Sequence, residues 1–125
     1  MLDTYDIGVT LPASDLERAK AWYAEKLGFE PAMESPAGVR YRSGSSFFDL
    51  YPTTFAGTAK NTAAGWVVDD IEAVVAELRA RGVEFQEYDL PGLKTVNGIA
   101  DIEGERAAWF VDSEGNILAL GQPTS

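Results

Sequence analysis

An α+β fold built from two tandem βαβββ modules is what this sequence predicts, and three observations predict it. The chain repeats itself; each repeat opens with an apolar stretch running into a capped helix; short strand-like segments follow each helix. The repeat aligns Asp15, Leu16, Glu17 and Ala21 with Asp70, Ile71, Glu72 and Ala76. One extra residue in the first copy then brings Gly28-Phe29-Glu30 over Gly82-Val83-Glu84.

Each element follows in order from local chemistry. Residues 7–11 form an apolar strand with Ile7, Val9 and Leu11 toward the core and Asp6, Gly8 and Thr10 on the opposite face. Ser14 with Glu17 reads as a capping box, and Leu16, Ala19, Tyr23 and Leu27 make the apolar stripe of the helix behind it. Gly28 closes that helix. Strands are expected at 30–34, 38–42 and 46–51, and a linker at 52–61. The second copy repeats the plan: a strand over 63–68, an Asp69–Glu72 capping box, a stripe of Ile71, Val74, Val75 and Leu78, and a closing Gly82. Strands at 84–88, 106–112 and 116–121 complete it, the last two joined by the turn Asp112-Ser113-Glu114-Gly115. Between Leu90 and Ile102 the sequence reads as a long irregular stretch, either a binding loop or an ordered surface loop.

One helix covers only one face of each sheet, so the other face must pair with another sheet or line a cavity, and two curved sheets facing each other across a cleft satisfy both halves. Residues 1–125 are expected to form a single domain of two repeats, 1–55 and 62–125, whose curved mixed sheets surround that cleft.

Composition removes several chemistries. The chain has no Cys and no His, which excludes thiolate nucleophiles, imidazole acid–base groups, disulfides and His-containing metal sites. Any metal would need oxygen ligands alone. Ten Lys and Arg against 20 Asp and Glu give a net charge of −10, unsuited to nucleic acid or anionic membranes. The acidic opening MLDTYDIGVTLP is unlike a secretory signal, and no run of about 20 apolar residues occurs, so a cytoplasmic location is expected.

The paired modules resemble the vicinal oxygen chelate superfamily, which includes glyoxalase I, extradiol dioxygenases, fosfomycin-resistance enzymes and bleomycin-binding proteins. The resemblance is carried by the Leu11 to Ala19 stretch with Trp22-Tyr23 and Leu27-Gly28-Phe29, by Trp66 to Asp70 with Ala80 to Val83, and by Trp109 to Leu118. Metal-using members place a His or Gln, a Glu, a His and a Glu on the concave face. The resemblance puts these at Gly8, Asp49, Ala63 and Ala119, so three of the four positions have no ligand atom. It therefore implies a member without a metal or other cofactor.

Period two puts Phe47, Asp49 and Tyr51 on the concave face with Thr10, Ala63 and Ala119. Of the adjacent Trp109 and Phe110, Trp109 is favoured for the cleft. Asp49 would pair with a cationic ligand, act as a base with a raised pKa, stay solvated, or pair with Arg40 or Arg42 of the neighbouring strand. The acidic sets Asp101, Glu103, Glu105 and Asp112, Glu114 read as solvated loop charges. The function expected from residues and resemblance together is metal-independent binding of an aromatic or cationic small molecule, in a homodimer. The alternatives are a metal-free isomerase or lyase using Asp49 as base with Tyr41, Tyr51 or Tyr88 as proton donor, or a related protein with no ligand.

Overall fold

The computed structural model describes residues 1–124. After a 3-10 turn at Leu2–Thr4, the first half runs β1 (Val9–Ala13), α1 (Leu16–Trp22), β2 (Met33–Ser35), β3 (Gly38–Ser43) and β4 (Ser46–Pro52). Helix α1 widens into a π-helical turn at Tyr23–Leu27 and ends at Gly28, whose φ of 79° is the left-handed closure. The second half runs β5 (Thr62–Val67), α2 (Ile71–Ala80), β6 (Asp89–Leu90), β7 (Leu93–Val96), β8 (Ile99–Ile102), β9 (Glu105–Val111) and β10 (Ile117–Pro123). The first sheet has the order β1-β4-β3-β2 and the second β5-β10-β9-β8-β7-β6. Both are mixed: β1 lies parallel to β4 and β5 parallel to β10, while the remaining ladders are antiparallel.

The second sheet is richer in strands than the repeat suggests. Residues 84–88 are not a strand; only Phe85 bridges, to Phe110. The stretch 90–102 is not irregular but two hairpins. Pro91-Gly92 joins β6 to β7, and Asn97-Gly98 joins β7 to β8 with both residues at positive φ, 53° and 81°. Asn-Gly is the strongest two-residue hairpin signal, and it was present in the sequence. The Glu87 carboxylate fixes this region by accepting from the Thr95 hydroxyl (2.7 Å) and the Gly98 N–H (2.6 Å).

The helix caps also sit one residue later than the sequence suggests. Asp15 accepts from the Arg18 N–H at 3.0 Å, and Asp70 accepts from the Ala73 N–H at 3.1 Å. Ser14 does not cap; its hydroxyl donates to Glu114. Ile7 is outside β1 and 98 % exposed, and Val9 is also exposed, so of the three expected core residues only Leu11 is buried.

One hydrophobic core joins the halves. Leu11, Tyr23, Tyr41 and Leu50 from the first cluster with Ile71, Phe110, Leu118 and Leu120 from the second. Trp66 of β5 is its hinge piece. Its ring lies 6.2 Å from Phe29 and 6.3 Å from both Phe48 and Phe110, and its indole N–H donates to the Ser43 hydroxyl at 3.0 Å.

Asp112 and Glu114 are the largest departure from expectation. Neither is a solvated loop charge; they are 6 % and 5 % exposed. Asp112 accepts from the Tyr23 hydroxyl at 2.6 Å, from the N–H groups of Glu114 and Asn116, and from the Asn116 side-chain amide. Glu114 accepts from the Arg18 guanidinium, the Asp15 N–H and the hydroxyls of Ser14 and Ser113. The turn that looks polar in sequence is thus a buried clasp between the halves.

Burial would raise the Glu114 pKa, but Arg18, Ser113 and the Asp15 N–H outweigh it and hold the carboxyl at about 2. A folded-state pKa below the ordinary 4.5 makes a contribution that is present above about pH 4.5 and lost as pH falls toward 2. Its upper bound is about 3 kcal/mol, reduced because Arg18 is half exposed. Glu114→Gln is therefore expected to lower stability at pH 7 and flatten the loss between pH 5 and 2. Denaturant melts across that range check it; an unchanged slope would show that Glu114 is not the group responsible.

Candidate functional site

The candidate site is built on the outward faces of the two sheets. On β4 the burial alternates as a half-covered strand requires: Phe48 and Leu50 are buried, while Phe47 and Tyr51 remain 44 % and 39 % exposed. Asp49 sits between these two, opposite Thr10 of β1 on one side and Arg40 of β3 on the other. On the second sheet Leu118 and Leu120 of β10 are buried, leaving Ile117, Ala119 and Gly121 half-buried on the other face. Ala63, Gly65 and Val67 of β5 are exposed with them. Trp109 is half-buried and Phe110 fully buried, and the Trp109 ring meets Tyr88 edge-on at 5.5 Å.

These residues do not converge on one cleft within a single chain. Thr10, Asp49 and Tyr51 line a depression of 210 Å³ together with Met33, Gly38 and Arg40. Phe47 instead lines a groove of 510 Å³ with Val9 and Leu11 of β1 and Gly65, Trp66 and Val67 of β5. Ala63, Trp109 and Ala119 line neither of these. Leu11, Phe48 and Leu50 of the first sheet and Phe110, Leu118 and Leu120 of the second are buried in one shared core, which leaves the alternate residues of these strands on the outer faces.

Sequence reasoning left Asp49 with three possible partners, and the structure gives it one. The Arg40 guanidinium holds it with two parallel bonds, Nε to Oδ1 at 2.8 Å and Nη2 to Oδ2 at 3.1 Å. That pairing draws the Asp49 pKa below its ordinary value, opposite to what a general base requires. Among the suggested proton donors, Tyr41 is fully buried and its hydroxyl has no partner. Tyr51 lies beside Asp49, and Tyr88 lies against Trp109. Sequence reasoning named Arg40 and Arg42 only as partners for Asp49, whereas Arg42 belongs to this face in its own right. Period two on β3 was the signal, since the residues flanking buried Tyr41 must point outward. Arg42 lies over the Phe47 ring, 5.2 Å from its centroid.

The resemblance implies ligand positions at Gly8, Asp49, Ala63 and Ala119. They offer one carboxylate, and both its oxygens are engaged by Arg40. Among the described residues no three carboxylates gather elsewhere. The residues present do not fit a divalent ion, which usually takes at least one or two free carboxylates.

The model of the Glyoxalase/Bleomycin resistance protein/Dioxygenase superfamily matches residues 8–119. The chain belongs to this superfamily. The fold is shared with solved structures at low identity. A glyoxalase/bleomycin resistance protein/dioxygenase from Alicyclobacillus acidocaldarius superposes with a TM-score of 0.72 at 16 % identity, over 97 % of this chain and 92 % of that one. UcmS2 gives 0.72 at 21 % identity, over 91 % and 94 %. TnmS3, an antibiotic binding protein from Streptomyces sp. CB03234, gives 0.63 at 23 %, over 96 % of each chain. No curated protein matches the sequence. Superfamily membership establishes the scaffold, and this scaffold hosts many chemistries.

The ion pair makes a direct prediction. In Arg40→Met the Asp49 carboxyl loses its partner, and its pKa is expected to rise toward the ordinary 3.8. Carboxyl-carbon NMR titration reads this, and an unmoved Asp49 would show that Arg40 does not control it.

Proposed function

We propose that this superfamily member is a metal-independent small-molecule-binding protein whose ligand is aromatic. The observation that carries the reading is the aromatic wall of β4: Phe47 and Tyr51 stay exposed on either side of a carboxylate that is already neutralised. Planar guests stack on such faces, and a few fixed polar groups orient them. Small residues at Gly65, Ala63 and Ala119 leave volume on the second face, and Trp109 adds another ring there. The fold shared with an antibiotic binding protein supports the same reading.

A cationic guest is less well served than the net charge of −10 suggests. Asp49 is satisfied by Arg40, and Arg42 adds a second positive group to the face. Recognition therefore rests on aromatic stacking, with Arg40 and Arg42 suited to a carboxylate or phenolate substituent. The isomerase or lyase alternative loses its named base, because a paired, acidified Asp49 is a poor proton acceptor near neutrality. We assign the complete site to two copies of the chain, since neither sheet face is closed by its own chain.

Tryptophan emission is the test of binding. Titration with a panel of planar aromatic antibiotics is expected to give saturable quenching that Trp109→Phe largely removes. No response across the panel, with basic glycopeptides included, would sink the reading. For the metal, calorimetric titration with Mn²⁺, Ni²⁺ or Zn²⁺ is expected to give no stoichiometric heat. A sub-micromolar site would overturn the claim of metal independence.

A further inference from the structure

The shared core is open at one place. Between the π-helical turn that ends at Leu27 and helix α2 lies a crevice of 250 Å³. Phe29, Trp66, Val74 and Leu78 form its walls, and buried Phe110 and Leu120 its floor. Strand alternation puts it across the second sheet from Gly65, Trp109 and Ala119, so it is separate from the candidate site. Ser43 is the only polar residue in its lining, and the Ser43 hydroxyl oxygen already accepts from the Trp66 indole N–H at 3.0 Å. A buried water needs about two to four polar partners, so this space holds water poorly and favours an apolar guest. An apolar cavity of about 150 Å³ admits benzene. A volume of 250 Å³ therefore takes one ring with a short chain attached.

One end of the crevice carries positive charge. Leu27 and Phe29 flank Gly28, and the Arg81 Nη1 lies 3.4 Å from the point that a Cβ on Gly28 would occupy. The converse contact is present too: the Lys26 Nζ lies 2.7 Å from the point that a Cβ on Gly82 would occupy. Each helical segment thus sends a cation from its C-terminal end to the glycine that closes the other, just beyond Leu27 and Leu78. Their own carboxylate partners hold them loosely. Glu25 is 3.7 Å from Lys26, outside hydrogen-bond reach, and Glu77 makes one exposed contact to Arg81 at 3.3 Å. Both cations keep donors for a further acceptor.

We propose that this crevice binds a small carboxylic acid bearing a single aromatic ring, with the ring among Phe29, Trp66 and Phe110 and the carboxylate at Lys26 and Arg81. The shape of the wall selects a flat guest. The Trp66 ring is near-parallel to Phe29 (6.2 Å, 24°) and to Phe110 (6.3 Å, 13°), a series that another planar ring extends. The two cations select the head group, because a carboxylate placed there answers both at once. The site stands apart from the outer-face reading proposed above and does not rest on it.

The probe is 3-phenylpropionate, titrated into the full chain and followed by NMR. The Trp66 indole N–H and the Val74 and Leu78 methyl signals are expected to shift saturably. The dissociation constant is expected on the order of 1 mM, ordinary for a ligand of about eleven heavy atoms. The neutral 3-phenylpropanamide, and the acid added to the Lys26→Met/Arg81→Met double variant, are each expected to bind about fivefold more weakly. Leu78→Trp fills the crevice and is expected to abolish the shifts; the amide comparison uses the unaltered chain and stands whether or not that variant folds. Unmoved Trp66 and Leu78 signals well above that concentration overturn the inference. Shifts confined to Phe47, Arg42 and Trp109 would put the acid on the outer faces, which overturns the crevice site and leaves the proposed function intact. Equal affinity for acid and amide overturns the assignment of a carboxylic acid. Loss of the Trp109-dependent quenching, with the Trp66 shifts retained, removes the proposed function alone.

Discussion

Two buried carboxylates hold the halves of this molecule in place. Asp112 and Glu114 lie in the turn before β10, and each is answered by groups from the first half of the chain. An ionised carboxylate taken out of water costs several kcal/mol unless its oxygens are satisfied, so their partners are constrained in turn. Tyr23 must keep its hydroxyl on Asp112, and burial beside that charge pushes the phenol pKa up, so the hydroxyl stays a donor at any physiological pH. Arg18 must reach Glu114, and with it comes the first turn of α1. The linker is held to the same place. A Cβ on Gly115 would come within 2.7 Å of the Gly57 Cα, so this crossing of linker and turn admits only glycine there.

The orientation of everything else follows. With α1 tied to the closing turn of the second half, Trp22 stacks on Phe110 and Trp66 reaches across to Phe29 and Phe48. The helix-covered sides of both sheets are consumed in one shared core. What remains for function is the pair of outer faces, which a single chain leaves open. The clasp therefore acts on the candidate site without touching a ligand: it decides which way the aromatic wall of β4 points.

Sequence reasoning reached the fold because its signals are periodic and local. Strand alternation separated Phe48 and Leu50 from Phe47 and Tyr51, and the helix stripes located Tyr23, Ile71 and Val75 in the core. It failed where the deciding partner lies far along the chain. Ser14 and Asp15 are both good cap residues, and only the claim of Glu114 on the Ser14 hydroxyl leaves the cap to Asp15. In the second module two Asp residues compete, and the Ile71 N–H is taken instead by the Gln122 side chain, so Asp70 serves as the cap. Asp112 and Glu114 carry no local mark of burial; their partners are about a hundred residues away. The hairpins at Pro91-Gly92 and Asn97-Gly98 were legible by turn chemistry, but they interrupt the module pattern that the repeat imposes.

The net charge is the least local signal of all, and the site shows why it cannot select a ligand. An excess of ten negative charges describes the whole surface, whereas the face beside Phe47 and Tyr51 holds Arg40, Arg42 and a single Asp49. Arg40 neutralises Asp49, and Arg42 rests on the Phe47 ring. Charges more than a Debye length away are screened at physiological salt, so an incoming molecule responds to those three groups rather than to the total. Gly8, Ala63 and Ala119 add no polar side chain, so what these outer faces offer is aromatic area, one guanidinium–carboxylate pair and a second guanidinium.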